Sequence, residues 1–471
     1  MRTVGNMELA RKHPELRDLR VVVVGLGRSG VAAARLAASH GARVTGLDRR
    51  PPHDLDPAAT ALAPHGVTIH GDGHPPEWAD RADLVVLSPG VPAAIPLVAA
   101  CRDRGVPVWS EVELAWRFCR GRVIAVTGSN GKSTTTAMIG SVLRGAGIPG
   151  GTGGNLATPF SDLLVDDDDR AVHAVELSSF QLETVDAFRA DVAAVLNLTP
   201  DHLDRYDSFD DYADAKAALF HRQETADSAI MNADDPESAR FERVARGRLH
   251  RFSVRGAVDR GAYLDGSMLT LRTDRGDETV IDRGELPVPG EHNVANALAA
   301  ALACRLAGVA IDRIADGLRA FRPLPHRLER VATVRGVTYY NDSKATNPDS
   351  TVRAARSFEP GSVVLILGGR DKGADWDALA RAVKSSVRQV LLVGEASDAI
   401  AAGMRDRIPF ERCGTVVRAI AAGAGVAAPG DVVLLSPGCA SFDQYRNFEE
   451  RGDDFRRAVL ALAPGGEDRD A

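Results

Sequence analysis

The sequence predicts an α/β protein of three domains: a Rossmann-like unit, a central parallel sheet with a phosphate loop and a small antiparallel appendage, and a second Rossmann-like unit. Three observations predict it. Arg20-Val-Val-Val-Val-Gly-Leu-Gly-Arg-Ser-Gly30 is an apolar strand running into G-x-G-x-x-G. Residues 123–126, Val-Ile-Ala-Val, lead through Gly128-Ser-Asn-Gly-Lys-Ser-Thr134 into a helical pattern. In the last third, apolar runs at 338–340, 363–367, 390–393 and 432–435 alternate with helical patterns, and two of them end in glycine-bearing loops. A chain of 471 residues suits three domains, at roughly 150 residues each.

Composition bounds the function. Hydrophobic residues make up 44% and charged residues 26%, a balance that buries sizeable cores. A net charge of −7 gives no electrostatic case for nucleic acid or an anionic membrane, so an anionic ligand needs a local group of Lys and Arg. The five cysteines are scattered without C-x-x-C, which argues against a zinc site or a disulfide framework and fits a reducing cytosol. Residues 1–20 are charged throughout and unlike a signal peptide. The Ala-rich run at 294–310 is broken by Asn296 and Arg305, so it reads as a core helix rather than a membrane span. A soluble cytoplasmic protein is expected.

In chain order, the helix at 31–39 and the strand at 42–47 complete a βαβ unit ending in Asp48, 18 positions after Gly30. That acid suits a ribose hydroxyl, yet the same geometry holds any nucleotide diphosphate, and Arg49 and Arg50 beside it suit a phosphorylated or sugar-linked nucleotide at least as well. Strand 84–87 ends in Ser88-Pro-Gly90, and a boundary falls near Ser110. In the central domain, the glycines of 128–131 let backbone N–H groups approach a phosphate, and the helix start adds unpaired donors. Lys132 adds a mobile positive charge, and Ser133 or Thr134 a hydroxyl for Mg²⁺. Val126 stands where the usual P-loop pattern has its first glycine.

Residues 150–155 form a second flexible glycine loop, and the four acids at 166–169 a solvated turn. Strand 172–175 ends in Glu176, a carboxylate well placed to position Mg²⁺ beside the phosphate loop. Strand 192–197 is followed by Asp201-His-Leu-Asp204, whose setting makes His202 a candidate ligand. Lys216 lies in a helix at 212–220, and by itself reads as a surface lysine. Turn residues within 250–283 give the antiparallel appendage. Asn293 and Asn296 open the Ala-rich helix, and Pro323-Leu-Pro325 is a stiff connector before His326 and Arg327.

Thr127–Thr134, Glu176-Leu-Ser-Ser-Phe-Gln-Leu-Glu183, Asp201–Asp204, His292-Asn293 with Asn296, and His326-Arg327 occur in an order that resembles the Mur ligase family. These enzymes join amino acids to the nucleotide-linked precursor of bacterial peptidoglycan using ATP, and the likeness covers nearly the whole chain. Asn341-Asp-Ser-Lys-Ala-Thr-Asn347 and Asp443-Gln-Tyr-Arg-Asn-Phe448 look like the member that adds D-glutamate. The resemblance implies a UDP-substrate-binding domain at 1–110, an ATP-binding domain at 111–323 and an amino-acid-binding domain at 324–471. The substrates would be UDP-N-acetylmuramoyl-L-alanine, D-glutamate and ATP, in a monomer.

The resemblance also implies roles. Gly128, Ser129, Asn130, Gly131, Lys132, Ser133, Thr134, Asn293, Asn296, Arg327 and Asp342 would bind ATP, with Lys344 beside them. Ser133 and Glu176 would hold one Mg²⁺; His202 and a CO₂-derived carbamate on Lys216 would hold the second. Arg28, Ser29, Asp48, Arg50 and Ser88 would take the UDP part, and Asn155, Ser178 and Gln181 the sugar and lactoyl-alanine. Thr346, Lys372, Ser441 and Phe448 would bind D-glutamate. The third domain is expected to swing about Pro323–Pro325 in catalysis. Rival readings are an NAD-dependent oxidoreductase, a non-enzymatic nucleotide switch, and another Mur-type or folylpolyglutamate-type ligase, the last lacking a unit like residues 20–110.

Overall fold

The computed structural model describes residues 12–156, 158–201, 205–274 and 276–462. Among these residues twenty strands form three sheets, and in each sheet the hydrophobic runs read from sequence become the central strands. The first sheet holds β1 (Arg20–Val24), β2 (Arg43–Leu47), β3 (Thr68–His70), β4 (Leu84–Leu87) and β5 (Val108–Ser110), in the order β3-β2-β1-β4-β5 and all parallel. Every residue of β4 is buried, the signature of a strand covered on both faces. Helix α1 (Arg28–Ser39) leaves the glycine loop after β1.

The second sheet holds β6 (Arg122–Thr127), β7 (Thr152–Gly154), β8 (Val172–Glu176), β9 (Val192–Val195), β10 (Ser228–Asn232), β11 (Arg248–Ser253), β12 (Gly261–Asp265), β13 (Met268–Thr273) and β14 (Gly276–Asp282). Its order is β14-β13-β12-β11-β10-β9-β6-β8-β7. The antiparallel strands expected at 250–283 are present, but they continue the parallel sheet through the parallel β11–β12 pair instead of standing apart from it. Helix α2 (Glu111–Phe118) precedes β6 and α3 (Lys132–Gly145) follows it, while α4 (Ser179–Leu182) follows β8. Helix α5 (Phe209–His221) is capped by Ser208, whose Oγ accepts from Asp211 N. Helix α6 is Glu291–Leu306.

The third sheet holds β15 (Glu329–Val334), β16 (Val337–Asn341), β17 (Val363–Gly368), β18 (Val387–Val393), β19 (Phe410–Gly414) and β20 (Val432–Leu435), in the order β15-β16-β20-β17-β18-β19. Only the β15–β16 hairpin is antiparallel. Helix α7 (Phe448–Leu462) packs on this hairpin.

Among the described residues the chain forms two compact units. The first contains the first two sheets and runs to Glu285, joined by Ala295–Phe321; the second contains Leu286–Val294 and the chain from Arg322 onward. No described helix is long and apolar enough to cross a membrane.

Two local expectations are corrected. Residues 150–155 are not simply a flexible loop, because Thr152–Gly154 pairs in parallel with β8 as an edge strand. The acids at 166–169 are not all solvated: the Asp167 side chain is 4% exposed, bonds His173 Nε2 at 2.8 Å and accepts from Arg120 N at 2.6 Å. Cys119 joins that pair with its ligand atom within 4.8 Å. Its thiol donates to Gly121 O, and His173 Nδ1 accepts from Gly151 N, so the cluster is held together by hydrogen bonds.

Candidate active site

In the first unit, the turn after β1 and the start of α1 form one wall of a cleft of about 380 Å³. Arg28, Ser29, Asp48, Arg50, Ser88 and Asn155 all line it, so six residues singled out for the nucleotide-linked substrate come together. Gly30 is required by packing: a Cβ there would lie 1.8 Å from Gly25 O. Ser88 Oγ donates to Gly25 O at 2.7 Å and fixes the same turn from β4. Asp48 accepts from Leu26 N at 2.8 Å and from Arg50 N and Nε at 3.0 and 3.1 Å. Burial opposes its charge, but the Arg50 guanidinium and these backbone donors outweigh burial and hold the carboxyl down at about 2. The acid thus orders the loop and aims Arg50, an arrangement its position at a strand end did not reveal. Arg49 and His74 line the cleft as well.

The phosphate loop lies between β6 and α3. Asn197, just past β9, braces it: Asn130 N donates to Asn197 Oδ1 at 2.8 Å, and Asn197 Nδ2 donates to Asn130 O at 3.0 Å. Ser129 Oγ bonds Thr199 O and the Tyr212 hydroxyl. Gly131 has φ of +85°, and a Cβ there would lie 2.3 Å from Asn296 Oδ1, so Asn296 of α6 sits directly against the loop. Asn293 Nδ2 donates back to Pro289 O at 2.7 Å. Lys132 Nζ donates to Gly128 O and Ser129 O at 2.7 and 2.8 Å, folded over the loop it belongs to.

Two buried groups face this loop. Glu176, ending β8, accepts from Asn155 Nδ2 at 2.9 Å through Oε1, while its buried Oε2 has no hydrogen-bond partner among the described residues. Such an oxygen is costly unless a donor or cation meets it, and it fits a divalent ion. Lys216 is only 1% exposed, which overturns its reading as a surface lysine. Its Nζ donates to Gly128 O at 3.0 Å and lies 4.6 Å from the centre of the Tyr212 ring. Burial, and then the charge of Lys132, push its pKa well below the usual lysine value. His202 lies outside the described residues. Ser178 and Gln181 form a capping box at α4, with Gln181 Nε2 buried and without a partner among the described residues.

In the second unit, four loops meet at the carboxyl ends of β16, β17 and β20. Asp342 accepts from Leu328 N at 3.2 Å and Ser436 Oγ at 2.9 Å, fixing the backbone next to Arg327; burial pushes its carboxyl up to about 7. Lys344 Nζ stands 4.0 Å from the centre of the Phe448 ring. Thr346 is half-buried, Ser441 buried and Lys372 exposed. Arg451 of α7, which no sequence pattern marked, is buried among these loops.

Three family models match in series: Mur ligase MurD-like, N-terminal domain over residues 19–110; Mur ligase middle domain over 126–304; and Mur ligase, glutamate ligase domain over 326–439. A UDP-N-acetylmuramoylalanine–D-glutamate ligase from Anaeromyxobacter dehalogenans is 48% identical over 467 residues, covering 96% of this chain and 99% of the relative. Another of that name, from Acidobacterium capsulatum, is 43% identical over 449 residues, 95% of this chain and 97% of the relative. A solved pseudomurein peptide ligase type C from Methanothermus fervidus shares the fold at TM-score 0.61 and 18% identity, over 95% of this chain and all of that one. With its three domains matched in order and its relatives aligned nearly end to end, the chain belongs to the Mur ligase family.

Proposed function

We propose that this protein is an ATP-dependent ligase adding D-glutamate to UDP-N-acetylmuramoyl-L-alanine in peptidoglycan precursor synthesis, releasing ADP and phosphate. The likeness to D-glutamate ligases along nearly the whole chain supports the substrates. The observation carrying the chemistry is the carboxylate oxygen of Glu176, buried and without a partner among the described residues, in the domain that holds a braced phosphate loop. In this reading residues 1–110 take the UDP substrate, 111–323 ATP and 324–471 the amino acid.

The L-alanine carboxylate attacks the γ-phosphorus of ATP, the bond to the β–γ bridging oxygen breaks, and an acyl phosphate and ADP result. The D-glutamate amine then adds to the acyl carbon, loses a proton, and phosphate leaves as the amide forms. A carboxylate is a weak nucleophile towards a polyanion, so alignment and charge neutralisation are the main tasks. The N–H groups of Gly128–Thr134 and the charge of Lys132 receive the phosphates, and Asn296 keeps the loop in register. Ser133 and Glu176 would hold one Mg²⁺, His202 and modified Lys216 a second; such ions, when bound, neutralise phosphate charge. The depressed pKa of Lys216 leaves a neutral amine that adds to CO₂, losing a proton to give a carbamate anion. Arg28, Ser29, Asp48, Arg50 and Ser88 serve the UDP part, Asn155, Ser178 and Gln181 the sugar and lactoyl-alanine. Arg327, Asp342, Lys344 and Asn293 serve ATP, and Thr346, Lys372, Ser441 and Phe448 serve D-glutamate.

The deciding assay is phosphate release from ATP that requires both UDP-N-acetylmuramoyl-L-alanine and D-glutamate; release with L-glutamate, or preference for another amino acid, overturns the assignment. Lys216→Ala should lose at least about a hundredfold in kcat and regain part of it with a short added carboxylate. Near-native activity in that variant would dispose of the carbamate.

A further inference from the structure

Arg451 is 2% exposed, and among the described residues its hydrogen bonds go to no carboxylate, although Asp443 and Asp342 act on it from farther off. A buried guanidinium without a bonded acid is an expensive arrangement, and its pKa is lowered to about 10 by burial. Its donors go instead to other groups: Nε to Ser343 Oγ at 3.0 Å, Nη2 to Ser343 O at 2.8 Å and Cys439 O at 3.2 Å, and Nη1 to Ala440 O at 3.4 Å.

These acceptors belong to the loops that carry the proposed amino-acid residues. Ser343 precedes Lys344 and Thr346, and its Oγ donates to Phe448 O at 2.8 Å. Cys439 and Ala440 lead into Ser441. Ala440 in turn exchanges both backbone bonds with Arg370, at 2.9 and 3.2 Å, which sets the loop bearing Lys372. One side chain therefore ties together the segments of Thr346, Lys372, Ser441 and Phe448.

We infer that Arg451 is a positioning residue for the amino-acid substrate: it clamps these segments in one geometry and leaves a positive charge, only partly offset by the more distant Asp443 and Asp342, beneath a site for a dicarboxylic amino acid. The inference rests on the reading that these four residues bind the amino acid. A buried cation already bonded to backbone carbonyls cannot swing out to solvent, so its field favours an anionic ligand and adds no ordering cost on binding. An acid in its place, or an ion pair, would cancel that field.

The test is the full chain with Arg451→Lys and Arg451→Met, assayed for all three substrates. Arg451→Met should raise the KM for D-glutamate at least about tenfold, with kcat changed less than about threefold and the KM values for ATP and the UDP substrate within about twofold. Guanidinium ion added at millimolar levels should lower the KM for D-glutamate in Arg451→Met and leave the wild type unchanged. Arg451→Lys, which keeps the charge and loses the fork, should fall between. Equal rises in all three KM values, loss of kcat alone, or an unaltered KM for D-glutamate would overturn the inference. If the wild type prefers another amino acid, the D-glutamate reading fails, and the same comparison with that amino acid judges Arg451 separately. Should Arg451→Met unfold, Arg451→Lys and its KM pattern decide.

Discussion

Glu111, at the start of α2, holds a proton that an exposed glutamate would release. One carboxylate oxygen accepts from Ser161 N at 2.6 Å, the other is buried without a partner among the described residues, and burial pushes the pKa up to about 7. Because the folded value lies above the unfolded one, the native state holds the extra proton between about 4.5 and 7. Stability is therefore greatest at the acid end of that window and declines as pH rises through it. Chemical denaturation at pH 5 and pH 8 should show Glu111→Gln losing less stability than the wild type, by on the order of 3 kcal/mol. An identical pH dependence in both proteins would mean that Glu111 is ionised in the native state.

Helix α2 shows how an element is held by a few buried polar groups. The Glu113 carboxylate accepts from Asp186 N, Ala187 N and Phe188 N, and from Arg117 Nε at 2.6 Å. The Arg117 guanidinium lies 4.6 Å from the centre of the Trp109 ring and bonds Asp186. Glu113→Ala strands three backbone donors and removes one of the two carboxylates on the buried Arg117 guanidinium, so urea unfolding should show a loss of about 3–5 kcal/mol. A loss below about 1 kcal/mol would mean that water replaces the carboxylate. The sequence displayed elements of one kind well: β4, β17 and β20 are uninterrupted apolar runs because both faces are buried. Edge strands β3 and β7, of three residues each, escape such reading, since short, partly exposed strands need no apolar pattern. The site divides the same way. Gly131, Lys132 and Glu176 stand at the ends of readable strands or at the helix start that follows one. Arg451 and Asn197 gain their meaning only from loops brought together by folding, and Lys216 by its pattern alone looked like any helical lysine, set apart in the sequence only by the family resemblance.

At the scale of the molecule, each unit has its own apolar core: Val23, Leu84, Val123 and Phe220 lie in that of the first, and Leu365, Leu392, Ile400 and Leu434 in that of the second. Calorimetry should resolve two transitions. UDP, whose proposed contacts lie in the first unit, should stabilise one of them by about 2.7 kcal/mol at a hundred times its Kd and leave the other in place. A shift of both together would mean that the units unfold as one. The second unit is not a continuous stretch of chain. Its segment Leu286–Val294 is followed by Ala295–Phe321 of the first unit before the chain returns at Arg322. On a ribosome moving at about 5–20 residues per second, that segment emerges seconds before the strands it belongs with. The first unit can finish closing while the second still holds one orphaned end. A fragment begun at Arg322 would omit this segment, so a soluble C-terminal piece for ligand screening should begin before Leu286.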